Sequence, residues 1–460
     1  MAADRSSLPR LGPEPHFTFP EIGRHRLSNG IDVWTAEQRD VPLVSVLVLV
    51  RAGASFDPAV RPGLAAITGD LLDEGCGDLD ALALHDRLGR LGAQLDTEVG
   101  ADATLVGLTT LERFAAPSLA LLAEMVSAPR LDERDFERVR DLRVNRLLQL
   151  REMPPAVAER VFVRLLFGNH PYGHLPIGTE ESLRAMDPGE TRTFHHEMYD
   201  PSRVTIIAVG DGSHDTLAAL VEGAFGGWTG SAIPHSYPDP AALPVPALDP
   251  SDANRLYVVG RAGAPQSELR IGHVAVSRTS PDYHALVTLN LVLGGQFVSR
   301  INTNLRERKG YTYGARTSFD FRRGPGPFVL HASVQSEATA DAIREAMNEL
   351  RAIRHDRPVT NEELELGRAA LTRGYPRNFE TAEQVGRALA QLALYGLPDG
   401  YFTEFVPKVL SLTSEDLTRA AAQHIHPDKL LTVIVGDPEK FGGGLEEIGL
   451  GAPVIMPAGS

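Results

Sequence analysis

The 460-residue sequence holds a single cysteine, Cys76, which excludes an internal disulfide framework and a thiolate-rich metal site. It has no excess of basic charge. Sixty acidic side chains stand against 45 basic ones, a formal net charge of −15, the opposite of the basic footprint a general nucleic-acid binder needs. No uncharged apolar run approaches the ~18 residues of a membrane helix, so no membrane span is expected. The amino terminus, MAADRSSLPRLGPEPHF, carries no apolar stretch of signal-peptide type. That reads as a cytoplasmic protein, or a periplasmic one where a leader has been removed.

Several catalytic signatures are missing too. There is no GxGxxG after a strand and no GxxxxGKS/T, so nucleotide binding has no support. No GxSxG elbow occurs, and neither HExxH nor HxxEH is present. The remaining histidines do not replace them. His170 and His174 are four apart, but Pro171 and Gly173 between them in NHPYGHLP read as loop. His195 and His196 are adjacent, so a helix points them to different sides. His424 and His426 alternate without sharing a face. Cys76 is isolated among apolar neighbours, an unpromising nucleophile.

What the chain does contain is itself, twice. PSRVTIIAVGD (Pro201 to Asp211) and PDKLLTVIVGD (Pro427 to Asp437) align without a gap. Upstream of each, Phe114 to Leu150 and Thr339 to Tyr375 read as helix, break, helix, with Leu119, Leu122, Met125 and Ile343, Met347, Leu350 at helical spacing. Each helix pair follows a strand-like stretch, near Thr104 and near Pro327. PLVSVLVLVRAG from Pro42 reads as another strand, and Asn29-Gly30 as a hairpin turn. The repeat predicts two α+β lobes, each a separate folding unit. Between them Ser231 to Asp252 carries six prolines, a stiff connector that holds two lobes apart or around a cleft. The expected division is 1–230, linker 231–252, 253–440, and a loosely ordered tail at 441–460.

The sharpest chemical feature lies in the second half, in LNLVLGGQFVSRINTNLRERKGYTYGARTSF from Leu289 to Phe319. An apolar helix ends near Gly294-Gly295, a basic segment leads to Gly310, and a strand with Tyr311 and Tyr313 follows. Arg306, seven residues before Tyr313, can hold a peptide carbonyl or a developing oxyanion. Alternatively Arg306, Arg308 and Lys309 form a solvated face and the tyrosines pack a sheet.

LSNGIDVW (Leu27 to Trp34), VRAGASFDP (Val50 to Pro58), RPGLAAITGDLLDEG (Arg61 to Gly75), NHPYGHLPIGTEESLRAM (Asn169 to Met186) and LGGQFVSRINTNLRERKGYTYG (Leu293 to Gly314) together resemble the M16 family, pitrilysin/insulinase-like and mitochondrial-processing-peptidase-like, in its short two-domain bacterial branch. The resemblance covers residues 20 to 438. It implies an α+β fold with internal duplication: two homologous lobes of antiparallel or mixed sheet with packed helices, the LuxS/MPP-like metallohydrolase fold. It also places the zinc motif of active members on Ala66, Gly69 and Asp70, where the ligands and general base are lost. The region of the third ligand holds Asn145 and Arg146. Arg306 and Tyr313 match the pair that contacts the substrate backbone, and Gly294 and Gly295 lie in the family's glycine-rich segment, expected near the substrate.

The resemblance therefore implies the zinc-less subunit of a heterodimeric metallopeptidase. It would hold no cofactor of its own, with zinc in an HxxEH-containing partner of similar length. Its substrate would be a peptide or unfolded protein, taken in part by strand addition to an exposed sheet edge of the first lobe; alone, the chain can form a homodimer. The alternatives are a non-proteolytic structural or peptide-binding module of the same fold, and a stand-alone zinc peptidase with an atypical site.

Overall fold

The computed structural model describes residues 17–230, 238–245, 255–441 and 444–457. Asn29-Gly30 turns the chain between β1 (Gly23–Arg26) and β2 (Asp32–Glu37), which pair antiparallel as the hairpin reading expects. Gly30 takes the left-handed φ of 90° that favours glycine there. The apolar run becomes β3 (Leu43–Val50), and a small hairpin, β4 (Gly75–Cys76) and β5 (Leu79–Asp80), follows. Then come β6 (Gln94–Val99), β7 (Thr104–Leu111) and β8 (Val204–Gly210). Together they build a six-stranded sheet in the order β1-β2-β8-β3-β7-β6.

The second half repeats the plan with β9 (Leu256–Gly260), β10 (Gln266–Val274), β11 (Thr312–Phe319), β12 (Pro327–Gln335) and β13 (Leu431–Gly436). A further strand, β14 (Val454–Met456), gives the order β11-β12-β10-β13-β9-β14. The repeated segments found in the sequence are β8 and β13. Each lies beside a parallel neighbour, β2 and β9, with an antiparallel strand on its other side. The two lobes are alike, each a mixed sheet with packed helices, as the α+β duplication predicts.

The halves exchange helices across their sheets. In β3, Val44, Val46, Val48 and Val50 face helices of their own half, while Leu47 and Leu49 face the helix Ala382–Tyr395 of the other half. Reciprocally, the helix Pro154–Phe167 of the first half lies on β10 and β13, its Val161, Phe162 and Leu166 against Val433, Val435 and Val329. A Cβ at Gly272 would meet Phe162 Cζ at 2.9 Å, so this helix seats on bare backbone. Each sheet is thus buried on one face by a helix from the opposite repeat. A near-continuous apolar strand requires cover on both faces, and each half supplies only one for itself.

The expected connector lies partly outside the described residues. In its described part, Asp239 pairs with Arg323 at 2.7 Å. The stretch after Lys440 is corrected from a loose tail. Phe441, Ile448 and Leu450 are buried in the second core, and β14 adds in parallel to β9, closing an edge the sheet would otherwise expose.

The histidines mostly serve packing. His195 bonds the Val126 carbonyl (2.9 Å), and His273 bonds that of Val274 (2.9 Å) while accepting the His426 N–H (3.2 Å). Burial pushes both down to about 4. Unfolded imidazoles bind protons below about pH 6.5, so the unfolded chain takes up more protons than the fold between pH ~6.5 and ~4. Their contribution to stability is complete above that window and lost as pH falls through it, by roughly 1.4 kcal/mol per pH unit per histidine. Urea midpoints are expected to drop between pH 7 and pH 5; an unchanged midpoint would contradict this.

Candidate functional site

Ala66, Gly69 and Asp70, which the resemblance aligns with the zinc motif, sit on the short helix Leu64–Asp70. Asp57 fixes its start, accepting N–H bonds from Gly63 (2.6 Å) and Ala65 (2.7 Å). His174 Nε2 donates to the same carboxylate (3.0 Å) and to the Ala54 carbonyl (2.9 Å). His174 therefore supports this helix rather than meeting His170, whose Nδ1 accepts the Tyr172 N–H (3.0 Å). Cys76 is buried, its thiol pushed up to about 11 chiefly by burial, which leaves almost no thiolate near neutrality.

Ala66 is buried and offers no donor atom. A Cβ at Gly69 would meet Val99 Cγ2 at 2.7 Å, so β6 already fills the space a longer side chain needs. Asp70 points outward and is ion-paired with Arg143 of the helix Glu133–Arg151. Arg143 also donates to the Pro176 carbonyl at 2.9 Å. A cleft of about 500 Å³ here is lined by Asp70, Asp73, Glu74, Asp96, Arg143 and Arg146. Among the described residues no group of three or more His, Cys, Asp or Glu side chains is placed to hold a metal. The residues present do not fit zinc: two donors are missing, and the remaining carboxylate is neutralised by a guanidinium. Arg146 lines the cleft, but the cation that pairs with Asp70 is Arg143, one helical turn earlier; Asn145 is exposed.

The second-half segment folds around its two glycines. The helix Tyr283–Asn290 continues as a π-helical turn, Leu291–Gly295. A Cβ at Gly294 would meet Thr317 Oγ1 at 2.5 Å, and one at Gly295 would meet Asn290 Nδ2 at 2.6 Å. Bare glycine thus lets the turn press onto β11. The pairing of β11 with β12 is irregular between Thr312 and Ala315, where the Thr312 hydroxyl bonds the Ser333 carbonyl (2.6 Å). Such a bulge re-aims side chains, and Tyr313, inside it, is 91% exposed.

Gly294, Gly295 and Tyr313 all line one cleft of about 570 Å³. Arg306, on the π-helical turn Thr303–Arg308, reaches its rim. Its guanidinium lies 4.0 Å from the centroid of Phe297, a wall residue, and bonds Glu307 at 2.8 Å. Three of the four second-half residues thus line this opening, and the fourth, Arg306, stacks on Phe297 in its wall.

Sequence reasoning missed the floor of this cleft. Arg270, buried in β10, donates to Glu268 (2.5 Å), to Glu159 (2.8 Å) and to the carbonyls of Leu269 (2.9 Å) and Pro155 (3.0 Å). Glu268 also accepts from the Ser333 hydroxyl, and His331 and Arg316 extend the row across β12 and β11. The available signal was Glu268 and Arg270 two apart in QSELRIGHV, two charges on one face of a strand whose other face carries Leu269 and Ile271. Phe297 and Val298 were missed as well, apolar yet 63% and 61% exposed beside the opening.

Comparison with known proteins agrees with this geometry. Residues 185–371 match the family model described as "Peptidase M16 inactive domain". An uncharacterized zinc protease of Mycobacterium tuberculosis is 26% identical, covering 81% of this chain and 84% of its own length. A non-peptidase homolog, YmxG of Helicobacter pylori, is 19% identical over 88% of this chain and 91% of its own. The crystal structure of a peptidase M16 inactive domain from Pseudomonas fluorescens superposes with a TM-score of 0.81 at 23% identity, covering 91% of this chain and 98% of that one. The chain is thus similar, over residues 185–371, to the M16 inactive-domain family, and an ion pair between Asp70 and Arg143 stands where the resemblance puts the metal motif.

Proposed function

We propose that the chain is the zinc-less, substrate-contacting subunit of a heterodimeric M16-type peptidase. In this reading a partner of similar length carries HxxEH and the zinc, and this chain contributes Arg306 and Tyr313. The observation that carries the reading is the contrast between the two sites. At the zinc motif, Asp70 is tied to Arg143. In the second half, Tyr313, Gly294 and Gly295 border an open cleft with Arg306 at its rim. Loss of function by general decay would erode both.

Arg306 and Tyr313 would donate hydrogen bonds to the carbonyl oxygen of the bound peptide, strengthening as negative charge develops on it. The outer edge of β6, unpaired among the described residues, supports strand addition by an extended substrate.

The test mixes the purified chain with its HxxEH-containing counterpart and follows cleavage of a quenched fluorescent peptide. Arg306→Ala and Tyr313→Phe are each expected to lower kcat of the mixture by roughly a hundredfold, the typical loss of one such donor. Full activity from the counterpart alone, or wild-type rates with Arg306→Ala, would overturn the proposal.

A further inference from the structure

The cleft beside Tyr313 has an uncompensated cation in its wall. Arg270, His331 and Arg316 are cross-strand neighbours on β10, β12 and β11, and all three line the cleft. Such neighbours stand about 5 Å apart at Cβ. Glu268 and Glu159 both bond Arg270 directly, so their charge is committed one strand further in. His331 lies between, largely buried and pushed down to about 3 by burial and then by Arg270 and Arg316; near neutrality it adds no charge. Arg316 is exposed, and among the described residues it has no ion-pair partner. Arg306, by contrast, has Glu307 and the face of Phe297.

We propose that Arg316 is a specificity-determining residue that accepts an aspartate or glutamate side chain of an extended peptide lying against Tyr313. This rests on the reading of the cleft as a peptide site and adds the class of side chain it selects. The chemistry is a guanidinium fork facing a carboxylate, geometrically matched and stronger than a neutral hydrogen bond. The net charge of the whole chain, −15, opposes acidic ligands, so the preference must come from this local cation and is confined to one position of the peptide. Beside it, exposed Phe297 and Val298 offer apolar contact to the neighbouring side chains.

The experiment uses the full chain and fluorescein-labelled alanine–serine octapeptides, each with one glutamate at a different position, and a matched glutamine set. Binding is read by fluorescence anisotropy at low and moderate salt. At one or two adjacent positions the glutamate peptide is expected to bind roughly fivefold more tightly than its glutamine counterpart, with the preference shrinking as salt rises. Arg316→Gln is expected to abolish that preference while leaving the glutamine peptides unaffected, and Arg316→Lys to retain part of it. Exposure of Arg316 makes the variants neutral to folding, which thermal unfolding checks.

Equal affinity for the two peptide sets at every position, or a preference that survives Arg316→Gln, would overturn this inference and leave the peptide cleft standing. Absence of binding by both sets would overturn the cleft reading and this inference together.

Discussion

Arg270→Met is expected to destabilise the protein by about 3–5 kcal/mol, the usual result of breaking a buried ion pair from one side. The guanidinium makes four contacts, to Glu268, Glu159, Leu269 O and Pro155 O. Two of them reach the helix Pro154–Phe167, which belongs to the other half of the chain. Its loss leaves Glu268 buried with only the Ser333 hydroxyl, a carboxylate desolvated without a counter-charge. The double variant Arg270→Met/Glu268→Leu should recover most of the loss, because replacing a buried pair with apolar side chains is often neutral. Since a chain of this size need not unfold in one step, hydrogen exchange is the sharper measurement. Amides of residues 154–167 should exchange faster in the single variant and not in the double. Unchanged exchange there in the single variant would show that apolar packing alone holds the helix.

Rebuilding the zinc motif is expected to fail. A chain carrying Ala66→His, Gly69→Glu and Asp70→His should hold far less than one zinc per molecule by elemental analysis after gel filtration. Two physical obstacles remain. Glu at 69 must displace Val99, whose Cγ2 lies 2.7 Å from the position of a Cβ. The larger obstacle is Arg143, now without Asp70. At about 4 Å and an effective dielectric of about 20, a unit charge and a dication repel by roughly 8 kcal/mol, more than one additional ligand supplies. Adding Arg143→Glu and Val99→Ala removes both, and the five-fold variant should retain zinc near stoichiometry. Stoichiometric zinc in the triple variant would show that Arg143 swings clear and that the ion pair does not guard the site.

Much of the fold could be read from the sequence because it rests on local pattern. The paired segments at Pro201 and Pro427 gave the duplication, Asn29-Gly30 gave the first hairpin, and helical spacing gave the helices carrying Leu119 and Ile343. The exchange of helices between halves could not be read. The helices Pro154–Phe167 and Ala382–Tyr395 are amphipathic in themselves, and nothing in an amphipathic face names the sheet it will cover. One clue was present in LVSVLVLV of β3, which is apolar on both faces and so needs a second cover. The tail was misread for the same reason. Phe441, Ile448 and Leu450 are scattered among glycines, and their burial depends on a core edge formed by distant strands.

At the candidate site the division is similar. Sequence alone determined that the metal motif is lost, because alanine and glycine carry no donor atoms in any conformation. It also singled out Arg306 and Tyr313 as the candidates of the second half. Only the tertiary structure decided what stands at the lost site. Asp70 and Arg143 lie on different helices, and their pairing depends on how those helices pack. Likewise only cross-strand register sets Arg270, His331 and Arg316 in one row, since hydrogen bonding between strands, and not spacing along the chain, makes them neighbours.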